Sequence, residues 1–367
     1  MRGFCSWTTV AGSVAVLALA AAGCGGDDEQ PSTASAPVAP GDEYLALCPP
    51  DDAPDTMVLG VWGGPHEEVL DAGLAEFESK TGIDVKYTGD STQDRITKLN
   101  AEKGSPSIDV ALVGIEQVPR LRKAGVIMET QEDVPNADAL KPEAKLDGGY
   151  GVSILQLVLG YNPDKIDPAP TSWNDLLRPD LKGHLALPVL PNANEFGTLT
   201  MLARLRGGSE TNLSPGIDAV ASIKDGVKVF YPFEPAVEPQ VKSGDIWMMV
   251  AIAGLLESGA QRGLPMQVAV PEEGGPLLMN VAVIPEGVRS TGCSKALVGW
   301  LLSEAVQEPY AEKMFYSPAN ADVELPEEVA QHIHPKDESS LVKIDWNAIS
   351  ENQSAILDEW NRKVVGK

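Results

Sequence analysis

The chain has 367 residues, 43% apolar and 5% aromatic, enough to bury the cores of two domains. Its formal charge of −25, from 28 Lys and Arg against 53 Asp and Glu, excludes a non-specific nucleic-acid binder, because a polyanion is repelled over most of the surface. Four cysteines with no CxxC, and four histidines without a companion ligand set, give no support to a zinc site or to any resident metal or cofactor.

The first element is an export signal. Arg2 precedes an apolar run, Val10 to Ala22, of signal-peptide length and too short to span a bilayer as a helix. The run ends in Leu19-Ala-Ala-Ala-Gly-Cys24, which resembles a bacterial lipoprotein box. Residues 1–23 are then the signal peptide, and Cys24 becomes a lipidated first residue that anchors the chain to the cell membrane. Ordinary cleavage within the alanine run is the alternative, and both routes export the chain. Residues 24–55 are rich in Pro, Ser, Ala and Asp, the composition of a flexible tether, with only Tyr44 to Cys48 expected to dock. Cys48 and Cys293 remain as an even pair in an oxidising compartment. A disulfide between them is expected, with two buried thiols as the alternative.

From Met57 strands and helices alternate. Met57 to Val61 reads as a strand. Pro65 suits a first helical position, and Val69, Leu70, Leu74 and Phe77 share one face before Thr81-Gly82 stops the helix. Ile83 to Tyr87 is a strand, Asp94 to Lys103 a helix and Ile108 to Val113 a strand, followed by a helix from Ile115 to Lys123. This alternation marks an α/β fold with a largely parallel sheet. Tyr150 to Tyr161 is long enough to cross between two lobes, and Pro276 to Pro285 is a second crossing candidate. Between them lie a helix at Trp173, a strand from Leu185 to Val189, a helix from Glu195 to Leu205, and strands Val227 to Tyr231 and Ile246 to Ala251. The tail from Ser294 reads as mainly helical.

No catalytic constellation emerges. There is no GxSxG elbow, and His66, His184, His332 and His334 read as surface residues, with His66 on a rim. The turn Gly60-Val-Trp-Gly-Gly-Pro-His66 lacks the GxxxxGK[ST] spacing, and Glu67 and Glu68 make the helix start unwelcoming to an anion.

Several segments, in order, carry a family resemblance. VWGGPHEEVLDAGLAEFESKTGIDVKY (61–87), LNAEKGSPSIDVALVGIEQVPRLRKAGVI (99–127), TSWNDLLRPDLKGHLALP (171–188), PEEGGPLLMNVAVIP (271–285) and IDWNAISENQSAILDEWNRKV (344–364) resemble extracellular solute-binding proteins of bacterial ABC importers. The spermidine/putrescine-binding branch is the most similar. The resemblance implies a two-lobed α/β clamshell of the type II periplasmic-binding-protein kind, each lobe a mixed sheet flanked by helices, with ligand in the cleft. Residues 56–155 would form the first part of lobe 1, 156–275 lobe 2, and 276–367 the return to lobe 1 with the C-terminal helices. It implies a monomer that performs no covalent chemistry and delivers a solute, with a small polyamine or related amine favoured, to ABC permease subunits. An amino-acid-like or phosphonate solute on the same scaffold, and a non-transport sensor lipoprotein, stay open.

Carried over position by position, the resemblance places Trp62 and Gly63 in the first cleft loop, and Gly114 and Glu116 after the third strand. It places Gln156 on the crossing strand, and Asn192, Asn194 and Glu195 at a helix start in lobe 2. Tyr231 and Glu234 follow on a later loop, and Asn280 on the returning strand. Two departures replace acids of the polyamine branch with amides, at Asn192 and Asn280, and no aromatic stands at Ala251 to Ala253. That set offers enough acid for one ammonium group more readily than for two. Trp173 reads as structural.

Overall fold

The computed structural model describes residues 42–366; the segments expected to be the export signal, the lipidated Cys24 and most of the tether lie outside them. A short helix α1 (Asp42–Leu47) leads into β1 (Thr56–Gly60), α2 (Pro65–Thr81), β2 (Asp84–Tyr87), α3 (Thr92–Ala101), β3 (Val110–Gly114) and α4 (Val118–Lys123). The apolar periodicity of α2 buries Val69, Leu70, Leu74 and Phe77. Pro65 occupies the first turn, where its missing N–H leaves no bond unmade, and Gly82 ends the helix in a left-handed cap at φ 74°. In β3 the run VALV is buried throughout, as a parallel strand covered on both faces requires. Asp109, just before β3, accepts the Val58 amide at 2.8 Å and pairs with Arg289 at 3.1 Å.

The chain continues through β4 (Lys145–Leu146), β5 (Gly149–Tyr161), β6 (Leu185–Pro188), α5 (Ala193–Arg204), α6 (Ser214–Ile223) and β7 (Val227–Tyr231). Next come α7 (Glu238–Lys242), β8 (Met248–Ile252), α8 (Ala253–Gln261), β9 (Gln267–Ala269) and β10 (Gly275–Val283). The remainder is α9 (Thr291–Leu301), α10 (Glu304–Met314), β11 (Ser317–Pro318), α11 (Glu327–Ala330), β12 (Leu341–Val342) and α12 (Trp346–Trp360).

Two sheets hang from β5, which is buried along all 13 residues. Tyr150 to Gln156 pair antiparallel with β10, whereas Leu157 to Tyr161 pair antiparallel with β8. The two sheets share one connectivity. In the first, β2, β1 and β3 run parallel and β10 antiparallel; in the second, β7, β6 and β8 run parallel and β5 antiparallel. In each, therefore, the loops after the three parallel strands emerge at one end. The terminal helix α12 touches both halves, packing on α4 and α6, and Ser214 on α6 donates to Glu359 at 2.8 Å.

The segment at Trp173 is a 3₁₀ turn, Trp173–Leu177, rather than an α-helix, because the following Arg178-Pro179 stops it after one turn. Trp173 is fully buried and donates its indole N–H to the Gly274 carbonyl at 2.8 Å. The helices α6 and α8 lacked a clear sequence signal: SPGIDAVASI and AGLLESGAQ contain two or fewer large apolar residues per turn and are interrupted by glycine.

Cys48 and Cys293 form a disulfide with Cα atoms 4.5 Å apart, fastening α1 to α9. Beside it Tyr44 stacks edge-on against Trp300 at 4.9 Å and accepts a hydrogen bond from Asn136 at 2.7 Å. A cross-link between residues 245 apart removes much of the unfolded chain's freedom, on the order of 5 kcal/mol in the entropic limit. The Cys48→Ser/Cys293→Ser variant is therefore expected to melt several degrees lower than the oxidised protein in calorimetry, and reduction of the parent protein to reproduce the loss. Equal melting temperatures would remove the stabilising role of the bond.

Candidate ligand-binding cleft

The expected site residues fall mainly at the ends of parallel strands and the helix starts beyond them, where open α/β sheets hold ligands. After β1 the chain turns through Trp62 and Gly63. The Trp62 indole is fixed on two sides: its Nε1 donates to Thr92 Oγ1 at 2.9 Å, and the Arg95 guanidinium lies 4.8 Å from the ring centroid. Arg95 has no exposed surface, donates to Asp90 Oδ1 and the Leu112 carbonyl at 2.6 Å each, and so ties the β1 turn to the end of β3. His66 packs 5.0 Å from Trp62 and 5.6 Å from Tyr310, with Nδ1 3.2 Å from the Tyr310 hydroxyl. His66 is half-buried beside α10, which packs across α2, a placement compatible with the expected rim position. Burial, and then the Arg95 charge, push His66 down to about 4, so it is neutral at physiological pH.

After β3, Glu116 turns back on Gly114, filling the space a side chain there would need, and accepts from Gln117 Nε2 at 3.2 Å through Oε1. Its Oε2 is buried without a partner, and burial pushes the carboxyl above its ordinary range. Across the sheet Gly114, Asn280 and Ser153 stand side by side on β3, β10 and β5, with Asn280 Nδ2 donating to Ser153 Oγ at 3.0 Å. Gln156 is three residues along β5 and, by the alternation of a strand, faces away from Ser153. Its Nε2 donates to Ser340 Oγ at 2.9 Å, and its Oε1 is buried without a partner.

In the second lobe the helix α5 begins behind β6. Asn192 caps it, accepting the Asn194 amide at 2.8 Å, and donates to the Pro232 carbonyl at 2.9 Å. Its polar atoms are committed to holding the helix start against the loop after β7. Asn194 donates to Glu234 Oε1 at 2.6 Å. Glu195, fully buried, has no hydrogen-bond partner on either carboxylate oxygen, and burial alone pushes it well above 4.5. Burial also raises Glu234. The Tyr231 hydroxyl donates to the Val250 carbonyl, and burial followed by the charges of Glu234 and Glu195 pushes its phenol well up. Burial and then the Glu234 charge likewise raise Tyr316, which lies just before β11, the partner of β5.

The structure therefore gathers Asn194, Glu195, Tyr231 and Glu234 in one lobe, and Trp62 with Gly63 in the other, where Gly114, Glu116 and Asn280 form a row on the first sheet. It adds Arg95, His66, Tyr310 and Tyr316, none of them a sequence candidate. Tyr310 and Tyr316 come from the far C-terminal part of the chain, and no local pattern links them to Trp62. The other histidines are occupied: His184 stacks on Trp247 at 3.6 Å, and His332 and His334 contact Glu257 at 2.9 and 3.0 Å. His334 is buried rather than a surface residue, because the Glu257 carboxylate on α8 draws it in.

The family model for bacterial extracellular solute-binding proteins matches residues 72–336. A spermidine/putrescine-binding periplasmic protein of Salmonella typhimurium is 27% identical over 331 residues, covering 84% of this chain and 91% of its own. The protein of the same description from Escherichia coli K12 is 27% identical over 311 residues, 79% of this chain and 87% of its own. Among solved structures, an ABC transporter from Clostridium perfringens superposes with a TM-score of 0.72 at 21% identity, over 84% of this chain and 99% of that one. The periplasmic binding protein AfuA from Actinobacillus pleuropneumoniae, with fructose-6-phosphate bound, gives 0.72 at 18% identity, over 85% and 99%. Two sheets of matching connectivity on one shared strand are the type II periplasmic-binding-protein clamshell that these neighbours share. With the family match running over most of its length, the chain belongs to the bacterial extracellular solute-binding proteins, non-enzymatic and extracytoplasmic solute-capturing components of ABC transporters.

Proposed function

We propose that the cleft captures a small amine and presents it to an ABC permease. The observation that carries this reading is Glu195: a fully buried carboxyl with neither oxygen hydrogen-bonded. A buried carboxylate without a counter-charge is costly, and an ammonium ion supplies both the charge and the donors. Glu234 and Glu116 are raised by burial in the same way, and none of the three has a Lys or Arg among the causes of its shift. The 27% identical relatives described as spermidine/putrescine-binding support the amine class. An amino-acid-like or phosphonate solute would bring an anion to these acids. Within this reading Trp62, Gly63, Gly114, Asn194, Glu195, Glu234 and Asn280 frame the cleft, residues 156–275 form the second lobe, and the hinge lies where β5 changes partner between Gln156 and Leu157. Lipidation of Cys24 would hold the body at the membrane.

Isothermal titration of the mature protein with putrescine, spermidine and simple monoamines is expected to give saturable binding. Glu195→Gln should weaken it between about tenfold and a hundredfold, the worth of a hydrogen bond to a charged group. Binding confined to amino acids or anionic solutes would displace the amine reading.

The same carboxyl sets a pH dependence. A group whose folded-state pKa is raised holds more protons folded than unfolded, so its share of stability is present at low pH and lost as pH rises from about 4.5 through the raised value. Without ligand, Glu195→Gln should therefore melt above the parent protein at pH 8, by about 2 °C for each kcal/mol relieved, with the gap closing toward pH 5. Amine binding should release protons in buffers of differing ionisation heat. A gap independent of pH would show that Glu195 does not titrate in the folded cleft.

A further inference from the structure

We infer that Arg95 is a specificity-determining residue, disfavouring a second ammonium group at the Trp62 end, so that the preferred ligand carries one charge, held in the second lobe, and a neutral body against the indole. The inference rests on the amine reading above. It begins with Trp62, the aromatic that the cleft loop presents. A cation is drawn to an indole face because the face is the negative part of its quadrupole. Here the Arg95 guanidinium already holds one face, 4.8 Å from the centroid.

That cation cannot move away. Arg95 is wholly buried, and two 2.6 Å hydrogen bonds, to Asp90 Oδ1 and the Leu112 carbonyl, hold its two terminal nitrogens. Thr92 fixes the edge of the indole, so the ring cannot rotate to offer a fresh face. An ammonium on the opposite face would meet π density already drawn toward the guanidinium, whose field would reach it with no water between to screen it. His66, beside the ring, is neutral and hydrogen-bonded to Tyr310, so it adds no negative charge.

The carboxyls at this end are largely engaged: Asp90 faces Arg95, Glu67 lies against Gly89, and Glu116 lies on Gly114 with Oε1 accepting from Gln117, which leaves only its Oε2 without a partner. The second lobe differs, because both oxygens of Glu195 lack a partner there. The second lobe thus offers a cation two free carboxyl oxygens, whereas the Trp62 end sets one free oxygen of Glu116 against the fixed charge of Arg95. Charge asymmetry between the lobes, rather than cleft length, would then decide between a monoamine and a diamine.

The test compares 1,4-diaminobutane with 4-amino-1-butanol, equal in length and different only in the second ammonium, by titration calorimetry on the mature protein. The parent protein is expected to bind the amino alcohol about three- to tenfold more tightly. Asp90→Asn leaves the guanidinium uncompensated and should widen that ratio about threefold. Arg95→Met combined with Asp90→Asn removes both charges and should bring the ratio near unity. Thermal melts establish that each variant folds; should the double variant not fold, the Asp90→Asn arm decides. A diamine preference in the parent protein, or a ratio unmoved by Asp90→Asn, would overturn the role given to Arg95 while leaving the amine reading in place. Binding of neither amine would remove the amine reading and this inference with it.

Discussion

The thirteen residues from Gly149 to Tyr161 form one strand bonded into two sheets, and the placement of everything else follows from it. The change of partner from β10 to β8 falls between Gln156 and Leu157, without a break in the strand. All thirteen residues are buried, as a strand covered on both faces and shared by two sheets requires. Gln156 sits at the change of partner with its amide tied to Ser340, and α12 spans both halves from behind. Two sheets suspended in this way bring the loops of each lobe to a common cleft.

The sheets share a connectivity but not a chemistry. The first lobe contributes Trp62, buttressed by a buried guanidinium and a neutral imidazole. The second contributes Glu195 and Glu234 at the start of α5 and the end of β7. Asn192 makes the difference between position and role plain. The family resemblance leads one to expect an acid there, whereas its amide caps α5 and reaches the Pro232 carbonyl, so it shapes the acid-bearing helix start. A carboxylate there could accept the Asn194 amide but could not donate to Pro232.

Much of the architecture was legible because burial leaves a periodic trace. The α2 face Val69, Leu70, Leu74, Phe77, the VALV of β3 and the length of β5 each show in sequence the surface they bury. Trp173 could be read as structural from its signature segment. Helices α6 and α8 were not legible, since small residues and glycines carry no clear stripe. Much of the cleft was also hidden. His66 follows Pro65 and precedes Glu67 and Glu68, which reads as a solvated turn; its contact with Tyr310 exists only through the packing of α10 on α2. Arg95 looks like one charged residue on an amphipathic helix, and its link to Trp62 exists only once β1 and β3 are paired.

Tyr316 joins the two halves of the electrostatic picture. It precedes β11, which pairs with the first-sheet half of β5, yet its phenol feels the charge of Glu234 from the second lobe. The charge of a second-lobe carboxyl is thus felt at a residue beside the strand on which both sheets hang.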